Sequence, residues 1–265
     1  TLQSVGAAAG IMPRFLRRCS IAMNRTGQYQ FTIVVPVFNE EDNMPNLEKA
    51  LADFLPKSLY KACVLFVNDG SRDDSLLKIK EICSRHEDFF YISFVKNAGL
   101  SAAVKAGFDY TFSQYVGYMD ADLQTTPEDF NLLLSGMLEN SMMIGIRADR
   151  KDSGFKRFQS KFANGFRNMM THDGAKDTGC PLKVLRTEVA RRIPMFKGMH
   201  RFLPALVLLQ EGCTYGQVPV RHFPRVAGVS KFSLWNRLLG PLADCFAYRW
   251  MKPRYINYKV GDNNI

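Results

Sequence analysis

The chain has 265 residues, 46% of them hydrophobic and 12% aromatic, which is enough to bury a real core and unlike a disordered or fibrous sequence. Thirty-five Lys and Arg against 25 Asp and Glu give a formal charge of +10, favouring an anionic partner such as a nucleotide, phospholipid, nucleic acid or membrane surface. The six cysteines, Cys19, Cys63, Cys83, Cys180, Cys213 and Cys245, stand singly, with no CxxC pair and no His at ligand spacing; this pattern indicates neither a disulfide framework nor a zinc site and fits a reducing cytosolic compartment.

Residues 1–30 mix small residues with a basic cluster at Arg14, Arg17 and Arg18. They lack the apolar core of a secretory signal and are expected to form a tail outside the fold. From Phe31 onward short apolar runs alternate with amphipathic stretches, the pattern of a sheet wrapped by crossover helices. Phe31 to Phe38 reads as a buried parallel strand. A helix follows with Leu47, Leu51, Phe54 and Leu55 on one face. Cys63 to Val67 is a second strand closed by the turn Asn68-Asp69-Gly70, and Ser71 with Asp74 is expected to form a capping box.

A third strand spans Phe89 to Val95, and the small residues from Ala98 to Tyr110 suit a closely packed helix. Tyr115 to Met119 is a fourth strand ending in Asp120-Ala-Asp122. Thr126 is expected to cap the next helix, with Pro127 in its first turn. Beyond residue 145, Phe155, Phe158, Phe162 and Phe166 repeat at helical spacing among Lys156, Arg157, Lys161 and Arg167, giving a basic amphipathic helix expected to lie in a membrane interface. Leu182 to Leu185 reads as a strand, Leu203 to Leu209 as an apolar helix and Tyr215 to Val220 as a strand. No run reaches the roughly 18 apolar residues of a spanning helix, so the chain is expected not to cross a membrane itself.

Ligands of open α/β sheets sit beyond the carboxyl ends of the strands, where strand order reverses. The strand ends here carry Pro36-Val-Phe-Asn-Glu40, Asn68-Asp69-Gly70-Ser71, Lys96-Asn97 and Asp120-Ala-Asp-Leu-Gln124. Such an acidic edge in a basic protein implies a bound cation. Asp120 and Asp122 are two residues apart, so in extended backbone they project to one side and can share a metal-diphosphate group, for which hard Mg²⁺ or Mn²⁺ is suited.

The segments Val35-Pro-Val-Phe-Asn-Glu40, Val67 to Ser75, Asn97 to Gly107 and Asp120 to Gln124, in this order and spacing, resemble the GT-A-fold family 2 glycosyltransferases. They look most like the dolichol-phosphate mannosyltransferase and bacterial polyprenyl-phosphate glycosyltransferase branch. Gly145 to Arg150, Asp177 to Cys180, Lys197 to Pro204 and Arg225 to Lys231 extend the match, which runs from about Phe31 to about Leu239. The resemblance implies an α/β, GT-A (Rossmann-like) fold with a mixed, mainly parallel sheet flanked by helices. It divides the chain into a tail over 1–30, a catalytic domain over 31–231 and a basic amphipathic segment over 232–265.

The implied activity is inverting, metal-assisted transfer of a hexose from a UDP- or GDP-sugar to a polyprenyl phosphate. By the resemblance, Pro36, Phe38, Glu40 and Asp69 line the nucleotide pocket together with Ala121 and Ser230, and Asp120, Asp122 and Gln124 hold the Mg²⁺ or Mn²⁺ and the diphosphate. Arg147, Arg150, Arg225 and Lys231 are the cations expected to hold two anionic reactants together. Asp177 is expected to orient a sugar hydroxyl or an arginine, and His200 and Arg201 to touch sugar or acceptor phosphate.

The enzyme is expected at the inner face of the membrane as a peripheral protein, without a nucleic-acid partner. Two alternatives stay open. A glycan or lipid hydroxyl acceptor requires a base, for which Asp149, Asp152, Asp173 and Asp177 are available. A non-catalytic basic binding module explains the charge and leaves the acidic edge unexplained.

Overall fold

The computed structural model describes residues 25–147, 165–224, 234–258 and 261–262. Seven strands form one sheet: β1 (Phe31–Val37), β2 (Ala62–Asn68), β3 (Phe89–Ser93), β4 (Tyr115–Tyr118), β5 (Met142–Arg147), β6 (Lys183–Arg186) and β7 (Tyr215–Val220), in spatial order β3-β2-β1-β4-β6-β5-β7. Within it β6 runs antiparallel to both of its neighbours, β4 and β5, and every other pairing is parallel. The described helices are α1 (Met44–Phe54), α2 (Ser75–Arg85), α3 (Leu100–Tyr110), α4 (Phe130–Ser135), α5 (Thr187–Arg192), α6 (Leu203–Val207) and α7 (Leu234–Met251); residues 165–171 are also helical. The mixed, mainly parallel sheet matches the fold expectation.

Every residue of β1 and of β2 is buried, as parallel strands covered on both faces must be. Alternation along β1 sends Phe31, Ile33, Val35 and Val37 to one core cluster, where Met44, Leu47, Leu51 and Phe54 of α1 and Ile79 and Ile82 of α2 meet them. Val34, with Leu65 and Val67, faces the opposite cluster, built from Ala103, Val104 and Phe108 of α3 and the apolar residues of α5 and α6. Each large aliphatic chain buried this way contributes about 1.5–3 kcal/mol. The small residues of α3 allow close packing: a Cβ on Gly107 would lie 2.2 Å from a Val34 methyl.

Several local expectations are corrected. The ordered packing begins before residue 31: Thr26 is buried, its Oγ1 accepts the Phe112 N–H at 3.0 Å, and Arg25 lies 4.7 Å over the Phe90 ring. Ser71 forms no capping box. It sits too far ahead of α2, whose N-cap is Asp74 without a side-chain cap, and its Oγ accepts the Asn39 N–H instead. Thr126 makes no side-chain cap either, and Pro127–Asp129 form a 3-10 turn before α4. Helix α7 is docked on the core through Cys245 and Tyr248, the latter stacked on Phe202 at 6.5 Å. Most of the aromatic helix expected around Phe155 to Phe162 lies outside the described residues, while Phe166 packs against the second core cluster.

Candidate active site

The parallel strands β1, β2, β4, β5 and β7 all end at one edge of the sheet, and antiparallel β6 begins there. Strand β1 lies between β2 and β4; the helix after β1 packs on one face of the sheet and α3, which leads into β4, on the other, so strand order reverses at β1 and a crevice opens there. The loops after β1 and β2 are tied together from both sides. Backbone N–H groups of Asn39, Glu40 and Glu41 donate to Ser71, Ser75 and Asp73, and those of Arg72 and Asp74 donate to the Asn39 and Glu41 side chains. Pro36 is buried in β1, Phe38 is half-buried at its end, and Glu40 accepts from the Asn43 amide at 2.6 Å.

Asp69, just after β2, is tied into the fold. Its carboxylate is 3% exposed and accepts four internal hydrogen bonds, from the Ala98 N–H, twice from the Gly99 N–H and from the Asn97 amide. It therefore clamps the loop that opens α3. Gly70 makes this approach possible, because its φ is +65° and a Cβ there would meet the Asn97 nitrogen at 2.6 Å.

Beyond β4, the Tyr118 hydroxyl donates to Asp120 Oδ1 at 2.7 Å, and Asp122 Oδ1 accepts the Gln124 N–H at 3.2 Å. Burial, reinforced by the charge of Asp122, pushes the Asp120 carboxyl up to about 6, against the pull of the Tyr118 hydroxyl, Lys183 and Arg147. The Gln124 carbonyl accepts from the Phe223 N–H and His222 Nδ1, fastening this loop to the exit of β7. Ala121 is buried in the core under the loop. Two mutually repelling carboxylates of hard oxygen fit Mg²⁺ or Mn²⁺. No group of three or more His, Cys, Asp or Glu placed to hold a metal occurs among the described residues, so phosphate oxygens or water would complete such an ion's shell.

Opposite the acid pair, Arg147 at the end of β5 is held by Asp177 from the loop entering β6. Nε and Nη2 each donate at 2.8 Å, and the Arg147 N–H donates to the same carboxylate at 3.2 Å. An arginine is one of the two partners expected for Asp177. His200 is held by Ser101, whose Oγ accepts the Gly198 N–H and lies 2.7 Å from Nδ1. Burial, with help from the Arg201 and Lys183 charges, pushes the His200 pKa down to about 3, so its imidazole is neutral at physiological pH. Arg201 is half-buried near Asp244. Arg150, Arg225, Ser230 and Lys231 lie outside the described residues.

Sequence reasoning missed Lys183 and Tyr118. Lys183 is 2% exposed inside the sheet directly opposite Tyr118 in the β4–β6 register, and a strand lysine carries no sequence signal of burial. The buried pair Arg167–Asp173 and the ion pair Arg221–Asp129 were missed for the same reason, since their partners meet only through the fold.

Residues 32–195 match the model of the family described as glycosyl transferase family 2, and the chain belongs to that family. Its fold is that of the GT-A glycosyltransferases. A dodecaprenyl-phosphate galacturonate synthase of Rhizobium johnstonii is 30% identical over 77% of this chain and 62% of its own length. An undecaprenyl-phosphate 4-deoxy-4-formamido-L-arabinose transferase of Edwardsiella ictaluri is 32% identical over 81% of this chain and 67% of its own. The chain thus spans about two thirds or less of the curated relatives it matches. Among solved structures, glucosyl-3-phosphoglycerate synthase from Mycobacterium tuberculosis, in complex with Mn²⁺, uridine diphosphate and glucosyl-3-phosphoglycerate, superposes with a TM-score of 0.63 at 12% identity, covering 97% of this chain and 89% of that one. A Pyrobaculum calidifontis mannosyltransferase in complex with GDP-mannose and Mn²⁺ gives 0.59 at 16% identity, covering 92% and 72%.

Proposed function

We propose that this chain transfers a hexose, with inversion, from a UDP- or GDP-sugar to a polyprenyl phosphate. The observation that carries the reading is the placement of the Asp120–Asp122 pair and the Arg147–Asp177 pair on one edge of the sheet. The first suits a metal-bound diphosphate and the second an acceptor phosphate. Curated relatives that bear the names of polyprenyl-phosphate transferases or synthases support the acceptor class. A bound Mg²⁺ or Mn²⁺ would be held by Asp120 and Asp122, with Gln124 beside them, and would offset the charge growing on the leaving diphosphate.

The chain's own residues do the remaining work. Pro36, Phe38 and Glu40 line the nucleotide side, with Asp69 holding the floor. Arg147, oriented by Asp177, presents its remaining N–H donors to the acceptor phosphate; Arg150, Arg225, Ser230, Lys231 and Arg201 are assigned to the diphosphate and acceptor by resemblance. A polyprenyl phosphate is already anionic at neutral pH, so the protein must bring two anions into line rather than remove a proton. The alternative hydroxyl acceptor needs a carboxylate base, and two of its four candidates, Asp173 and Asp177, are each locked to an arginine; this favours the phosphate acceptor.

Peripheral membrane association is part of the proposal. On α7, Leu242, Phe246 and Trp250 are exposed at four-residue spacing while Cys245 and Tyr248 face the core, and Arg249, Lys252 and Arg254 are exposed beside this stripe. An apolar stripe flanked by cations suits an anionic lipid surface. Among the described residues no helix is long and apolar enough to cross a membrane.

Transfer of label from a panel of UDP- and GDP-hexoses to a detergent-solubilised polyprenyl phosphate, with Mg²⁺, Mn²⁺ or chelator, tests the reading. Metal-dependent label in the lipid is expected. Nucleotide release without lipid product moves the acceptor to a hydroxyl, and absence of both turnover and nucleotide binding overturns the donor site as well.

A further inference from the structure

Lys183 is the most deeply placed cation near the site, and none of the reactants need touch it. Its side chain is 2% exposed. Its ammonium donates to the Cys180 carbonyl and lies 5.5 Å from the centre of the Tyr118 ring, the ring whose hydroxyl donates to Asp120 at 2.7 Å. Among the described residues no carboxylate lies within ion-pair distance of it. An ammonium taken out of water without a contacting anion is costly, and an apolar side chain of similar length would fill the same space without that cost. Burial lowers its pKa; the Cys180 thiol, Asp120 and Asp177 pull the other way, in that order, with Arg147 opposing them, and burial raises the thiol itself and so keeps it protonated. Asp177 is already matched by Arg147 in a two-pronged pair, which leaves Asp120 as the anion that Lys183 answers.

We infer that Lys183 is a positioning residue for the acid pair: its buried charge, relayed past Tyr118, offsets Asp120 and Asp122 and sets how tightly they hold a divalent ion on their own. The inference rests on the reading of this pair as the holder of a metal-diphosphate group. With an ammonium fixed nearby, the two carboxylates attract a bare cation weakly, and the diphosphate of the donor supplies the missing negative charge. Metal and nucleotide then bind together and leave together after transfer.

Mn²⁺ binding to the full chain, followed at pH 8 through the electron paramagnetic resonance signal of the free ion, with and without UDP or GDP, tests this. Removing the ammonium in Lys183→Met takes away a repulsion, so Mn²⁺ alone is expected to bind about threefold or more tightly than to the wild type, and Lys183→Arg to restore wild-type behaviour. A merely structural lysine would change melting temperature and leave this affinity where it was. A folded Lys183→Met whose Mn²⁺ affinity matches the wild type overturns the inference. Should that variant fail to fold, Tyr118→Phe keeps the ring and removes the donor to Asp120. It is expected to tighten Mn²⁺ in the same direction, and an unchanged affinity overturns the relay. Wild-type protein that binds no Mn²⁺ even with either nucleotide refutes the metal-diphosphate reading itself, and the inference with it.

Discussion

Arg147 and Asp177, thirty residues apart in sequence, meet through two hydrogen bonds of 2.8 Å and a third from the Arg147 backbone. One carboxylate therefore fixes both the guanidinium and the end of β5. Asp177→Ala leaves a largely buried guanidinium unpaired and is expected to cost about 3 kcal/mol of stability, read as a lowered urea midpoint. Arg147→Lys keeps a charge and loses the fork; it is expected to reduce kcat/KM for the acceptor about 100-fold with a small change in midpoint. Retention of acceptor turnover in Arg147→Lys would remove Arg147 from the phosphate site.

Asp122→Asn changes one oxygen to an amide nitrogen and leaves Oδ1 able to accept the Gln124 N–H. Metal-dependent turnover is expected to fall by about 10²-fold or more while melting temperature stays within a few degrees. An active Asp122→Asn would overturn the metal assignment.

Asp69 and Gly70 make a prediction about folding rather than chemistry. Asp69→Ala strips the Asn97, Ala98 and Gly99 donors of their acceptor and is expected to cost about 2–3 kcal/mol. Amide exchange at Ala98 and Gly99 should rise with it. Gly70→Ala forces a Cβ onto the backbone of Lys96 and Asn97, so a comparable loss is expected; a variant as stable as the parent would refute the clamp.

His200 gives a pH dependence with a definite sign. Its folded pKa, about 3, lies below the ordinary value near 6.5, so acid protonates the unfolded chain first. Stability is full above about pH 6.5 and falls as the pH drops from there toward 3, by roughly 2 kcal/mol at pH 5 from this group alone. The slope should flatten in His200→Gln. Denaturant midpoints for the two proteins between pH 8 and 5 check this, and parallel curves would refute it.

The sheet was readable because parallel strands buried on both faces, such as Phe31–Val37 and Ala62–Asn68, appear as β-branched and aromatic runs that few other structures use. The strand-end acids were readable for a related reason: the topology sends every parallel strand's end to one edge. What the sequence hid were pairings made across the fold. Ser71 looked like a helix cap, yet the β1 loop reaches it first. The clamp made by Asp69 was hidden because nothing in the sequence showed that residues 97–99 return to it. Lys183 sits in a strand beside Val184, and only the β4–β6 register places it against Tyr118.

Among the described strands, β6 is the one that runs against the rest of the sheet. A parallel partner for β5 would need its return connection to cross a face of the sheet as a packed helix, whereas an antiparallel one needs only to turn back at the same edge. The described part of the chain between Arg147 and Lys183 still covers the core, through Phe166, Met170 and Ala175 on one face and Cys180 and Leu182 on the other. The connection begins and ends at the crevice, so Asp177 returns to Arg147 without the chain having to cross the sheet.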